Sequence, residues 1–133
     1  MSVGREESRS LILAALLESE RREEPFIRPA HLLIAAAAAT PLVQRGISID
    51  SLRAATERVL GPPIALPGPR LGVMPSANAA RVLHRLREMA HELRRHMTPD
   101  DLLLALVEDA EIAPNEASIV LSELGLPLNI LRD

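Results

Sequence analysis

Apolar and polar positions along the chain fall into segments that repeat one plan. In "EESRSLILAALLESERREE", Leu11, Ile12, Ala15, Leu16 and Ser19 recur at helical spacing, and charges close the run. Ser8 is a candidate N-cap, and Pro25 predicts the stop. A second helix is predicted from Pro29, whose fixed φ and missing N–H suit a first turn, through the alanine run to Ala39. Thr40 and Pro41 interrupt it. "PLVQRG" predicts a short third helix ended by Gly46, and "SIDSLRAATERVLG" a fourth, capped by Ser48 or Asp50 and stopped by Gly61. Residues 62–75, "PPIALPGPRLGVMP", hold five prolines and two glycines, a density that no helix survives, so they predict an extended linker.

The plan then restarts. "SANAARVLHRLREMAHELRRH" predicts a long helix with Val82, Leu83, Leu86, Met89, Ala90 and Leu93 on one side. "MTPDDLLLALVEDA" predicts the next, with Thr98 as N-cap, Pro99 in the first turn and Asp101 as the acid of a capping box. "NEASIVLSELG" ends at Gly125, and "LPLNILRD" begins a last short helix. Residues 27–33, Ile27 to Leu33, align with residues 97–103, Met97 to Leu103. Leu13 and Leu16 align with Leu83 and Leu86, and Gly46 to Ile49 with Gly125 to Leu128. The expected architecture is all-α: two four-helix repeats, about 5–61 and about 76–133, related by a pseudo-twofold axis and joined by the 62–75 linker in one domain spanning 1–133.

Composition narrows the chemistry. Among 133 residues Phe26 is the single aromatic, and Cys is absent, so the core is aliphatic and the chain has no disulfide or thiolate chemistry. All fifteen basic residues are Arg, and the net charge of −3 gives no global footprint for nucleic acid. No apolar run is long enough to span a bilayer and the N-terminus reads as no signal peptide, which together predict a cytoplasmic protein.

Two phrases carry a resemblance. "FIRPAHLLIAA" is followed by "RGISI", and "HMTPDDLLLAL" by "LGLPL". In that order they resemble the N-terminal double-repeat domain of the Clp/Hsp100 unfoldases of the ClpA, ClpB and ClpC type, from about residue 5 to 131. The resemblance implies that Phe26 wedges between helices at a joint. It implies a non-enzymatic module that binds a peptide, an adaptor or a substrate protein of a ClpC-type unfoldase, or the Clp machinery itself. By alignment its docking groove lies between the first helices of the two repeats, with Arg9, Ile12, Leu13 and Leu16 from one and Met74, Val82, Leu83 and Leu86 from the other. Some ClpC relatives bind phosphorylated arginine through a Glu before the His. Here Ala30 stands in the first repeat and Asp100 in the second, so Asp100 is the one candidate acid for that role. The sequence has no G-x-x-x-x-G-K-[ST] and no Lys to serve one, so it reads as such a domain without its ATPase motor.

Other chemistry is weaker. In "HELRRH" His91 and His96 stand at i, i+5, whereas a helical metal pair needs i, i+4, so no metal or cofactor is expected. His31 has no nucleophile beside it and reads as a structural hydrogen-bonding group. His84, Arg87, His91 and Arg94, widened by Arg81, Arg85 and Arg95, make a basic stripe on one helix. The alternative function is therefore an acidic-partner or nucleic-acid-binding protein using residues 81–95. Pairing with Glu88 and Glu92, and the absence of flanking aromatics, weigh against nucleic acid.

Overall fold

The computed structural model describes residues 3–24, 26–39, 47–62, 74–94 and 97–131, with residues 3–9 and 74 by backbone alone. The fold is all-α. Six helices are described: α1 (Val3–Arg21), α2 (Pro29–Ala39), α3 (Ile49–Leu60), α4 (Ala77–Leu93), α5 (Pro99–Ile112) and α6 (Glu116–Glu123); a 3₁₀ turn follows at Leu128–Leu131. The predicted helix over 41–46 and residues 63–73 of the linker lie outside the described residues. No described helix is long and apolar enough to cross a membrane.

Packing follows from where the apolar residues fall. From Pro29 to Ala37 every residue of α2 is buried, because the segment is apolar around its whole circumference. Such a helix must be covered on all sides. It packs against α5, also buried along most of its length, while α1 covers α2, α4 covers α5 and α3 lies on α6. The alanines of α2 and Ala105 of α5 permit close helix approach, and Leu32, Leu33, Leu102, Leu103 and Leu106 fill the centre.

The second unit repeats the first in order. Buried positions 31–33 and 35–37 of α2 match 101–103 and 105–107 of α5, the predicted register. The outer helices differ. Burial sets Leu11, Ala15 and Glu18 of α1 against Val82, Leu86 and Met89 of α4, one residue away from the Leu13/Leu16 over Leu83/Leu86 alignment. The connections differ as well: residues 22–28 join α1 to α2, and the shorter segment 94–98 joins α4 to α5.

Caps explain the boundaries. Ser8 lies inside α1, which starts at Val3, and is not its cap. Ser48 and Ser76 accept from Ser51 N–H and Ala79 N–H at the starts of α3 and α4. Thr98 and Asp101 form the predicted capping box, and Asn115 forms a second one with Ser118. Gly125 (φ 71°) ends α6 in a Schellman turn, with Leu126 N–H on Leu121 C=O at 2.9 Å. The same turn ends α1, where Glu24 N–H bonds Ser19 C=O at 3.0 Å, but Glu23 occupies the left-handed position at φ 56°.

Met74 and Pro75, read from sequence as linker, instead form a two-residue strand β2 (Met74–Pro75). It pairs in parallel with β1 (Phe26–Ile27), Phe26 opposite Met74 and Ile27 opposite Pro75, and Ser76 N–H donates to Ile27 C=O at 2.8 Å. Phe26 is half-buried in a strand that joins the two halves.

Arg94 closes α4 with φ 53° and ψ 42°, a conformation that costs an L-residue about 1 kcal/mol or more. Its side chain is exposed. The Arg94→Gly variant is expected to be more stable by about 1 kcal/mol, read as a higher midpoint in urea unfolding with an unchanged slope.

Candidate docking surface and its polar neighbour

Helices α4 and α5 form a hairpin whose direction is set by its ion pairs. Arg81 Nε lies 3.2 Å from Asp109 Oδ1, and Arg85 Nε 2.7 Å from Glu108 Oε2. Rising numbers on α4 thus meet falling numbers on α5, so the helices are antiparallel. Along the outward side of this hairpin runs an open groove of about 740 Å³. Ala77 and Ala80 of α4 and Ala105 and Ala113 on the α5 side line its floor, and Ile112 stands at its end. Ile112 is 87% exposed, an unusual state for a β-branched apolar side chain. Asp109 is held from behind by Asn115 Nδ2 at 3.0 Å, which also donates to Leu106 C=O.

The two rims differ electrostatically. On the α5 rim Glu108 and Asp109 are already matched by Arg85 and Arg81. Arg85 is engaged further by Glu92 at 3.3 Å. On the far rim of α4 the predicted basic stripe is half neutral. His84 lies 3.9 Å from Glu88, while Arg87, His91 and Arg94 are exposed and make no ion pair with a described residue. Arg95 lies outside the described residues. The groove's own lining sets Arg81 and Arg85 against Glu88, Glu108 and Asp109, and the unpaired Arg87, His91 and Arg94 lie on α4 outside that lining.

The groove inferred by alignment fares differently. Val82 and Leu86 are 0% and 1% exposed and Leu83 8%: all three belong to the core beneath α4, not to a surface. Ile12 and Leu16 are half-buried against that core, and Leu13 alone is open, at 55%. The side chains of Arg9 and Met74 lie outside the described residues. Apolar spacing selects α4's buried face, and a core-facing Leu and a docking Leu have the same spacing. The residues that do line a groove are alanines and charged groups, which no apolar pattern flags. Asp100 is exposed in the first turn of α5, while Ala30 is fully buried in α2 with no carboxylate to offer. Among the described residues no cluster of three or more His, Asp or Glu is placed to hold a metal.

A polar network follows α1. The Schellman turn after α1 drives Arg22 and Glu24 inward. Arg22 donates to Glu24 Oε1 (2.7 Å), Glu57 Oε2 (2.5 Å) and Gly61 C=O (2.7 Å). Gly61 presents that carbonyl with φ 68° and ψ −158°, a region essentially confined to glycine. Arg28 bridges Glu24 Oε2 (3.0 Å) to Glu116 Oε2 of α6 (2.6 Å), tying the first half to the second. His31 accepts from Arg28 N–H through Nδ1 at 3.0 Å, so its proton resides on Nε2. Burial pushes this imidazole down to about 4, with Arg22 and Arg28 adding to the fall and Glu24 opposing it.

Comparison with known proteins places this geometry. The family description "Clp repeat (R) N-terminal domain" matches residues 5–121. The chain is similar to the N-terminal domain of Hsp104 from Candida albicans, with a TM-score of 0.71 at 21% identity, covering 94% of this chain and 83% of that one. It is similar also to the N-terminal domain of the caseinolytic protease associated chaperone ClpD from Arabidopsis thaliana, with a TM-score of 0.74 at 19% identity, covering 95% and 87%. At these identities the likeness is one of fold. No curated protein matches the sequence significantly.

The buried imidazole makes stability depend on pH. Its folded pKa of about 4 lies below the ordinary 6.5, so the unfolded chain binds more protons between these values. Stability is then present in full above pH 6.5 and is lost as pH falls towards 4. Between pH 7.5 and 5, where few carboxylates titrate, His31 is expected to account for about 2 kcal/mol. Urea unfolding at both pH values checks this, and the difference is expected to shrink in His31→Gln.

Proposed function

Because the chain belongs to the Clp repeat N-terminal domain family, we propose that it is a non-enzymatic docking module. It receives a segment of an adaptor or substrate protein of a ClpC-type unfoldase. Domains of this family bind substrates and adaptors without catalysing a reaction. The observation that carries the reading is the groove over α4 and α5, with its alanine lining and the bare Ile112. An alanine floor gives a partner's apolar side chains room to sink. Acting in trans, as an adaptor or a decoy, such a module competes with an unfoldase's own N-terminal domain for the same segments.

The test is capture of ClpC-type adaptors and substrates on the immobilised chain, beside a control N-terminal domain of an unfoldase. Retention by both, with about a tenfold or greater loss for Ile112→Glu at unchanged melting temperature, is the expected result. Retention by the control alone would sink the proposal, as would equal retention by Ile112→Glu. In the competition arm, added chain is expected to slow unfoldase-dependent turnover of a substrate that needs the N-terminal domain.

A further inference from the structure

Between α1, α2 and α3 lies a second cavity, of about 170 Å³, lined by Glu18, Arg21, Arg22, His31, Arg53 and Glu57 among others. It is far smaller than the groove and opposite in character, being walled by charge. His31 is 1% exposed, and its Nε2 has no hydrogen-bond partner among the described residues; the nearest carboxylate oxygen, Glu24 Oε1, is 3.8 Å away. Since Nδ1 accepts from a backbone N–H, Nε2 is a buried donor. A buried donor without an acceptor is costly, and such groups in folded proteins are normally satisfied.

The neighbouring arginines present donors as well. Arg22 spends one bond from each of its three nitrogens on Glu24, Glu57 and Gly61 C=O. A guanidinium has five N–H groups, so two remain. Arg53 binds Glu18 in a fork through Nε and Nη2, at 3.1 and 3.0 Å, leaving both hydrogens of Nη1. Among the acceptors in the wall, Glu18 is held by Arg53 and Arg21, Glu57 Oε2 by Arg22, and Thr56 spends its hydroxyl hydrogen on Leu52 C=O. Three guanidinium groups against two carboxylates leave the lining cationic. A water molecule would leave the positive excess of the lining unmatched. A group rich in acceptors and negatively charged fits better, and planar guanidinium forks match tetrahedral or trigonal oxyanions.

We propose that this cavity is a binding site for a small oxyanion, a phosphoryl or carboxylate group, held by Arg53 and Arg22 and oriented by His31 Nε2–H. Arg21 and Glu57, both more than half exposed, stand at its mouth, so entry needs only side-chain movement. The site stands apart from the α4–α5 groove and does not depend on it.

The experiment is a titration of the full chain, labelled with ¹⁵N-histidine, with inorganic phosphate at constant ionic strength. The expected result is a saturable shift of the His31 Nε2–H signal in the millimolar range, and about a tenfold weaker response in Arg53→Gln. Arg53 is a surface-side residue of α3, and the variant's fold is checked by its backbone spectrum. An acetate arm separates the sources: a response to phosphate alone assigns a phosphoryl group, and a response to both assigns the wider oxyanion class. The proposal is overturned by an Nε2–H signal that stays fixed with phosphate, or by one that moves equally with chloride. The wild-type titration decides the matter even where a variant is destabilised.

Discussion

Mutual burial of α2 and α5 is the constraint on which the remaining structure depends. α2 has no polar face to turn to solvent, and α5 is buried through its centre and exposes only Asp100 and its last turn, so each forms only inside the other elements. Once they pack, their outer sides dictate where α1 and α4 lie, and the ends of these outer helices fix where the chain must turn. The alanine content follows from the same demand. With one aromatic residue in the chain, the core gains stability from close approach of backbones rather than from bulky side chains.

The charged network answers a different problem. The turn after α1 directs an arginine and a fully buried glutamate inward, and a buried carboxylate is tolerated only when paired and hydrogen-bonded. Glu24 meets two arginines, and one of these reaches across to Glu116, so the link is structural between halves. The price of that arrangement is local: His31 is forced to stay neutral, and Glu23 is held in a left-handed conformation.

Two surfaces with opposite chemistry result. The α4–α5 groove is lined by alanines and by arginines matched to carboxylates. The cavity under α1 is small, charged and rich in donors. Sharing a Clp-type fold with the N-terminal domains of Hsp104 and ClpD does not by itself specify either surface, because both are made by side chains that vary on a common backbone.

Residue order determined a good deal. Pro29 and Pro99, the Thr98–Asp101 capping box, Ser48, Gly61 and Gly125 act through local geometry, so helix starts and stops were legible from them. The duplicated phrases pointed to the family for the same reason: they encode a local turn-and-helix plan that recurs. Which leucines are buried was another matter. Leu13 and Leu83 share a pattern, yet one is open and one is core, because α1 and α4 turn their buried faces inward in registers that differ by one residue. The pairing of Met74 with Phe26, the grip of Arg28 on Glu116, and the groove of alanines beneath Arg81 and Arg85 join residues distant in the chain. No local rule reaches so far; only packing in three dimensions decided them.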